Sequence, residues 1–173
     1  MIPESPTLLT SAALSLLLLL APAVGNAQSL EQRLRAARLP STPPARLAQL
    51  AGDPDWEVRA AVAGNRRTPP AALRRLAGDP EMGVRIAVAT NLAADLATLM
   101  RLAEDRQTAV RSVVARFEYV PAAVLDRLAL DSDPGVRLEV ARAYNTSAKT
   151  LQRLTRDPYP EIRNTALAQL ARR

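Results

Sequence analysis

The residues most capable of chemistry stand in the stretch LAGDPDWEVRAAVAGN, which runs from Leu50 to Asn65. It contains the carboxylates of Asp53 and Glu57 and the guanidinium of Arg59. Carboxylates can act as general acids or bases, and a guanidinium fork can bind a carboxylate or a phosphate. A second stretch, LAGDPEMGVRIAVATN from Leu76 to Asn91, repeats the Asp-Pro and Val-Arg pairs 26 residues later. This repetition has to be explained before any chemistry is assigned to the residues.

The same pattern occurs in five consecutive copies at an offset of 26 residues. Each copy has two leucines three residues apart, then an aspartate, then a Val-Arg or Ile-Arg pair, then an apolar residue. The leucines are Leu47, Leu73, Leu99, Leu125 and Leu151, followed by Leu50, Leu76, Leu102, Leu128 and Leu154. The apolar partners are Val58, Val84, Val110, Val136 and Ile162, followed by Val62, Val88, Val114, Val140 and Ala166. This helical spacing predicts a buried stripe in every copy.

We call the repeated aspartates and arginines the ladder residues. They are Asp53, Asp79, Asp105, Asp131 and Asp157, with Arg59, Arg85, Arg111, Arg137 and Arg163. Every copy contains both, so we predict a structural task that each copy must fulfil. An aspartate can cap a helix, and the arginine of a neighbouring copy can bind its remaining oxygens. We therefore expect the ladder to fix how copies stack.

Each copy is predicted to form two short helices. In the first copy Thr42 is expected to cap a helix that opens with Pro43 and Pro44, because proline is tolerated where a backbone N–H is unpaired. Asp53 is expected to cap the second helix, and Asn65 to end it in a left-handed conformation. The first helix has room for only about two turns, so we expect it to be either α-helical or partly 3₁₀.

Helices this short are not stable alone, and stacking them gives a continuous apolar seam. The sequence therefore predicts an all-α fold, a right-handed α-solenoid of two-helix repeats. The predicted parts are a capping helix in 28–41, repeats 42–67, 68–93, 94–119, 120–145 and 146–171, and a tail at 172–173.

The string L-A-x-D-P-x-x-x-V-R-x-x-V-A-x-N followed by T-P-x-x-L, as in Leu50 to Leu73, resembles the leucine-rich repeat variant family. The resemblance covers residues 42–171 and implies repeats that pair an α-helix with a 3₁₀-helix. The Asp and Val-Arg positions also resemble those of HEAT repeats, in which Asp and Arg of neighbouring units form a ladder. Some members of the family carry an iron–sulfur module, which needs cysteines. This chain has none, so we expect no such cofactor.

The composition argues against an enzyme. Cys and His are both absent, which removes thiol nucleophiles, imidazole bases and the usual soft metal ligands. The sequence also lacks a Gly-rich phosphate loop and a serine with a nearby base. We expect no catalytic, cofactor-binding or metal-binding residues.

Function must then lie in residues that face outward. The net charge is +6, and of 23 basic residues only Lys149 is a lysine. We call the arginines of one register, between the two leucine registers, the basic ridge: Arg75, Arg101, Arg127 and Arg153. Arg74 and, in a turn, Arg66 and Arg67 are predicted to join it, with Trp56 as a separate contact spot. Two interpretations stay open for the ridge, a solvated edge or a contact surface for an acidic protein, an anionic polymer or a lipid head group. Arg116 and Arg142 form a second pair one period apart.

The segment from Thr7 to Ala27 carries no charge and has a compact apolar run from Ala12 to Ala21. With small residues at 25 and 27, it predicts a secretory signal at 1–27, cleaved after Ala27, and a periplasmic or secreted product. The segment before it lacks Lys and Arg, so a membrane anchor formed by residues 8–24 is the alternative, although Pro22 interrupts the run. We expect membrane contact only if this segment stays uncleaved.

These features favour a non-catalytic protein–protein interaction module or scaffold of a bacterial-type cell envelope or exterior. It would bind an acidic protein through the outward or concave face of the solenoid. The alternative is a HEAT-like basic solenoid that binds nucleic acid and is related to DNA glycosylases. The export signal counts against nucleic acid. So do the aromatic residues, which occupy different registers and so build no repeated platform for bases: Trp56, Phe117, Tyr119, Tyr144 and Tyr159.

Overall fold

The computed structural model describes residues 28–173 of the chain. In this part it has eleven α-helices and no strand. In chain order they are α1 (Leu30–Arg38), α2 (Pro44–Leu50), α3 (Trp56–Gly64), α4 (Pro70–Leu76), α5 (Met82–Ala89), α6 (Leu96–Leu102), α7 (Thr108–Arg116), α8 (Ala122–Leu128), α9 (Pro134–Arg142), α10 (Ala148–Leu154) and α11 (Pro160–Ala171). The predicted signal segment at 1–27 and its cleavage site lie outside the described residues.

After α1, helices of seven residues alternate with helices of eight to twelve residues. Each long helix packs mainly on the long helix of the adjacent repeat, from α1 to α11 in turn. The short helices lie beside them in a second row. The all-α solenoid predicted from the sequence is therefore confirmed. In residues 28–173 no helix combines the length and the apolar character needed to cross a bilayer.

The core lies between the two rows of helices. All ten leucines of the two leucine registers are buried, as are the residues of the two apolar registers on the long helices. Small aliphatic side chains fill this seam from one repeat to the next, because no single repeat supplies enough apolar surface to close a core by itself.

The body of each short helix is α-helical. In α2 the N–H of Leu47 donates to the carbonyl of Pro43 at 3.1 Å, and the N–H of Ala51 donates to that of Leu47 at 2.9 Å. Bonds of the 3₁₀ type are found at its C-terminal end, where the N–H of Gly52 donates to the carbonyl of Gln49 at 3.0 Å. The 3₁₀ character is therefore confined to the ends of a short α-helix.

The structure corrects the predicted role of Asp53 as a helix cap. Helix α3 begins at Trp56, and Asp55 holds the N-cap position without a capping hydrogen bond from its side chain. Asp53 lies in the preceding turn, where its Oδ1 accepts the backbone N–H of Asp55 at 3.0 Å. Pro54 also precedes the helix rather than opening it. Because Asp53 lies in the turn and not at the N-cap, its Oδ2 faces the preceding helical unit and binds Arg33.

Thr42 and Asn65 also differ from their predicted roles. Pro43 occupies the N-cap of α2, while Thr42 Oγ1 donates to the carbonyl of Ala36 at 2.5 Å. Asn65 has φ −76° and ψ 123°, which is extended rather than left-handed. No residue in 28–173, glycine included, has a positive φ. Both side chains instead bond to carbonyls near the end of α1.

Candidate binding surface

Each ladder arginine before Arg163 joins its own repeat to the next one. Arg59 Nε donates to Asp79 Oδ2 at 2.7 Å, and Arg59 Nη2 donates to Asp79 Oδ1 at 3.0 Å. The third nitrogen, Nη1, donates to the backbone carbonyls of Asp53 and Pro54, both at 2.9 Å. The guanidinium is therefore held by two carbonyls of its own repeat while it binds the carboxylate of the next.

The same pairing occurs at every junction between repeats in the described chain. The Nε to Oδ2 distances are 2.6 to 2.8 Å in the pairs Arg33–Asp53, Arg59–Asp79, Arg85–Asp105, Arg111–Asp131 and Arg137–Asp157. Arg33 thus begins the ladder in α1, where its Nη2 turns to Asp55. Arg163 is the last ladder arginine, and it forms no ion pair with any residue in 28–173.

The ladder shifts the ionisation of its members. Burial on its own would raise the pKa of Asp105, but the hydrogen bond from Arg85, the backbone N–H of Gln107 and nearby arginine charges lower the pKa overall. The pKa values of Asp79, Asp131 and Asp157 are lowered in the same way. The hydrogen bond to Asp105 raises the pKa of Arg85. These groups stay charged and paired at neutral pH, which makes them unsuited to proton transfer.

The basic ridge runs along the same edge of the solenoid as the ladder. Arg75 and Arg101 are exposed, and each guanidinium lies over a glycine of the preceding repeat. A Cβ added at Gly52 would lie 3.4 Å from Arg75 Nη2, and one added at Gly78 would clash with Arg101 Nη2. The absence of a side chain at these glycines therefore lets the arginines lie flat across a junction.

The ridge is not uniform, because the residue at the position of those glycines changes. In the next repeat it is Glu104, whose Oε1 accepts from Arg127 Nε at 2.9 Å. In the following repeat it is Leu130, which is exposed beside Arg153. Arg127 is therefore neutralised within the protein, whereas Arg153 forms no ion pair in the described part of the chain.

Three open grooves cross this edge, and each contains one ridge arginine. Arg101 lines a groove of about 480 Å³, Arg127 one of about 290 Å³ and Arg153 one of about 700 Å³. The largest also contains Lys149 and Arg156. Its two aspartates are already bound by ladder arginines. This groove therefore concentrates positive charge at the C-terminal end of the ridge.

Comparison with known proteins supports the repeat pattern. The family model for the leucine-rich repeat variant matches residues 56–81. A solved structure described as a leucine-rich repeat variant with a novel repetitive protein structural motif is similar to the chain at 30% sequence identity, with a TM-score of 0.65. The match covers 83% of this chain and 57% of that one. The protein is a leucine-rich repeat variant solenoid. This solenoid spans a little over half of that structure's length, and no curated protein matches its sequence.

Not all predicted partners of the ridge join it in this leucine-rich repeat variant solenoid. Arg74 turns to the next repeat, with its Nε 3.5 Å from Asp95 Oδ2. Arg66 and Arg67 lie in the turn before α4, and Arg67 Nη1 donates to the carbonyl of Ser41 at 3.3 Å. Because Arg75 lies near the far end of α4, the helix separates this turn from the ridge. The structure therefore places Arg66 and Arg67 at the opposite end of α4 from Arg75.

Trp56 lies across a junction between repeats rather than on the ridge. Its side chain is partly covered, with 48% of the residue exposed. A Cβ added at Gly83 would lie 3.4 Å from its ring. Trp56 therefore offers one face to solvent while the other covers the contact between α3 and α5.

Sequence reasoning missed a set of bonds at the opposite edge of the leucine-rich repeat variant solenoid. Asn65 Nδ2 donates to the carbonyls of Ala37 and Leu39 at 2.8 and 3.0 Å. Asn91 does the same one repeat later, to Ala63 and Asn65 at 2.6 and 2.9 Å. The offset of 26 residues between the two asparagines was the available signal.

The asparagine register stops in the third and fourth repeats, where Phe117 and Ala143 take its place. A groove of about 400 Å³ is found there, lined in part by Phe117, Ala143 and Tyr144. Phe117 also makes an edge contact with Tyr119, with ring centroids 5.9 Å apart. Arg142, of the second arginine pair, donates to Glu161 Oε1 at 3.1 Å. Three aromatic residues thus gather at one place although they occupy different registers.

In residues 28–173 no three carboxylates are placed to hold a metal ion together. The ladder aspartates of this leucine-rich repeat variant solenoid bind ladder arginines instead. The exposed arginines are then the candidates for binding a partner.

Proposed function

We propose that this protein is a non-catalytic protein-binding scaffold that engages an acidic protein partner through the basic ridge. The repeat-solenoid fold supports a protein-binding scaffold in general. The observation that carries the finer proposal is the position of Arg75, Arg101 and Arg153, each exposed above a junction between repeats. Arg127 contributes less, because Glu104 already binds it.

The ladder supports this proposal through charge. The aspartates nearest the ridge, such as Asp79 and Asp105, are bound by buried or half-buried arginines of the ladder. They therefore do not neutralise the exposed guanidiniums above them. A guanidinium presents a planar fork that matches a carboxylate, so a row of them favours an acidic protein surface.

We also propose where the protein acts. The uncharged apolar segment at 7–27 supports export to the periplasm or the exterior, with anchoring to the membrane by residues 8–24 as the alternative if the segment stays in place. In this proposal the partner is a protein of the envelope or the exterior.

The test is a triple charge reversal, Arg75→Glu, Arg101→Glu and Arg153→Glu, in pull-downs from an envelope fraction followed by affinity measurement with the recovered partner. Exposed charge pairs contribute about 0.2–1 kcal/mol each, so we expect binding to weaken about tenfold, with a weaker dependence on salt. The control is Arg35→Glu, Arg38→Glu and Arg172→Glu, which changes the net charge equally away from the ridge. Equal binding by both triple variants would contradict the proposal.

The same variants test the nucleic-acid alternative. A titration with duplex DNA at increasing salt should show only weak binding. Tight binding with a steep negative salt slope that disappears in the ridge variant would favour nucleic acid instead.

A further inference from the structure

The last ladder arginine is held as the others are but has no carboxylate to bind. Arg163 Nη1 donates to the backbone carbonyls of Asp157 and Pro158, both at 2.9 Å. Arg59, in the first repeat, makes the same two bonds, to the carbonyls of Asp53 and Pro54. In residues 28–173 the Nε and Nη2 of Arg163 meet no acceptor, whereas the same atoms of Arg137 bind both oxygens of Asp157.

The geometry of Arg163 is therefore fixed in advance. At four earlier junctions the same edge of the guanidinium binds both oxygens of an aspartate, with Nε to Oδ2 at 2.6 to 2.7 Å. The two carbonyls already limit the side chain's rotation. A carboxylate that arrives at Arg163 thus meets an oriented fork, and less conformational entropy is lost on binding.

An apolar stripe lies beside this fork on α11. Leu167 and Leu170 follow Arg163 by four and seven residues, which places all three on one side of the helix. Leu167 is 53% exposed, and Leu170 is partly buried against the core. The end of the solenoid thus combines one unpaired cation with an aliphatic surface.

Leu167 also distinguishes this end from the internal junctions. The residue four positions after each earlier ladder arginine is a fully buried alanine, in the register Ala37, Ala63, Ala89, Ala115 and Ala141. A leucine there adds volume where a neighbouring repeat packs most closely, and such overpacking is unfavourable. A further repeat of the same kind therefore fits poorly, and a partner of different shape is favoured.

We propose that this end face is a docking site for a protein segment that presents an Asp or Glu carboxylate to Arg163 and an apolar surface to Leu167 and Leu170. The carboxylate takes the place that Asp157 has on Arg137. The site lies on the outer side of α11. Asp157 and Pro158, whose carbonyls hold Arg163, also line the groove of Arg153, but Arg163, Leu167 and Leu170 do not, so the two surfaces can be tested separately.

The test is selection of peptides from a random phage-displayed library against the full chain, with calorimetry on one selected peptide. We expect selected peptides to carry an acidic residue next to aliphatic ones. Arg163→Gln should weaken binding at least tenfold, and Arg163→Lys should restore little, because lysine keeps the charge without the fork. Leu167→Glu should also abolish binding, since it places a carboxylate one turn from Arg163.

Two controls separate docking from folding and from the ridge. Arg163→Gln should leave the melting temperature within about 2 °C of the parent, because Arg163 bridges no repeats. Arg153→Gln, on the ridge, should leave peptide affinity unchanged. Selected peptides without an acidic residue, equal binding to Arg163→Gln, or equal loss with Arg153→Gln would each overturn the proposal.

Discussion

Arg111 of one repeat and Asp131 of the next are joined by two parallel hydrogen bonds, Nε to Oδ2 at 2.7 Å and Nη2 to Oδ1 at 2.9 Å. The same guanidinium donates to the carbonyl of Asp105 in its own repeat at 2.9 Å. Removing it therefore leaves a mostly buried carboxylate that keeps only the backbone N–H of Asp133, and a backbone carbonyl without its donor.

Arg111→Ala is expected to lower the free energy of unfolding by about 3 kcal/mol, the range found when one member of a buried ion pair is removed. Urea unfolding followed by circular dichroism measures it. Arg106→Ala, an exposed neighbour outside the ladder, is the control and should change stability by less than about 0.5 kcal/mol. Equal effects of the two substitutions would show that the ladder does not hold the repeats together.

Stability is expected to fall in acid because the ladder aspartates have lowered pKa values in the fold. A lowered folded pKa stabilises the protein above the unfolded value, which is about 4, and this stabilisation is lost as the pH falls below it. Unfolding free energies should therefore be level above about pH 5 and decrease below about pH 4.

Asp105→Asn isolates one contribution to that pH dependence. The variant should be less stable than the parent at pH 7 and should lose less stability between about pH 4 and pH 2, because one shifted group is gone. Glu118→Gln, an exposed carboxylate without an ion pair in the described chain, serves as the control. An unchanged slope for Asp105→Asn would mean that other groups cause the acid sensitivity.

Ala143→Asn is expected to stabilise the protein. Ala143 has φ −65° and ψ 128°, close to the values of Asn65, so a new carboxamide would point toward the preceding repeat. The carbonyl of Ala115, which corresponds to that of Ala63, accepts no hydrogen bond from residues 28–173 and would gain a donor. One such bond contributes about 1 kcal/mol, measurable as a higher melting temperature.

Ala143→Leu is the matched control for that substitution, because it adds volume at the same position without a donor. It should not stabilise. If both variants raise the melting temperature alike, filling the groove explains the gain and the missing hydrogen bond does not.

The exported protein is expected to begin at Gln28. Expression of the full sequence in a bacterium, followed by fractionation and N-terminal sequencing, measures this directly. A product in the periplasm or medium that still begins at Met1 would contradict cleavage and favour the anchor at residues 8–24.

The registers that hold the fold together could be predicted from the sequence, because the same type of residue recurs at the same position in all five copies. The leucines are buried, and the arginine and aspartate registers meet across junctions. Periodicity alone was sufficient, since a residue needed in the same place in every copy must contact the same neighbour.

The helix caps could not be predicted in the same way. Thr42, Asp53 and Asn65 all have side chains that cap helices well, and a local pattern cannot show that a carbonyl or guanidinium of another repeat competes for them. The uneven charge of the ridge has a similar cause. Arg127 matches Arg101 in register, and only the position of Glu104 relative to it, 23 residues earlier, decides that its charge is neutralised.

The register that begins at Gly52 lies on the surface and varies from repeat to repeat. It reads Gly52, Gly78, Glu104, Leu130 and Arg156, and every member is exposed. None of them belongs to the leucine core or to the ladder, so their replacement leaves the joints between repeats intact. Each of the three grooves is lined by two consecutive members of this register, so one substitution changes the charge and shape only of the grooves beside it. Recognition in this protein can be altered one repeat at a time, while the framework that holds the repeats in line stays the same.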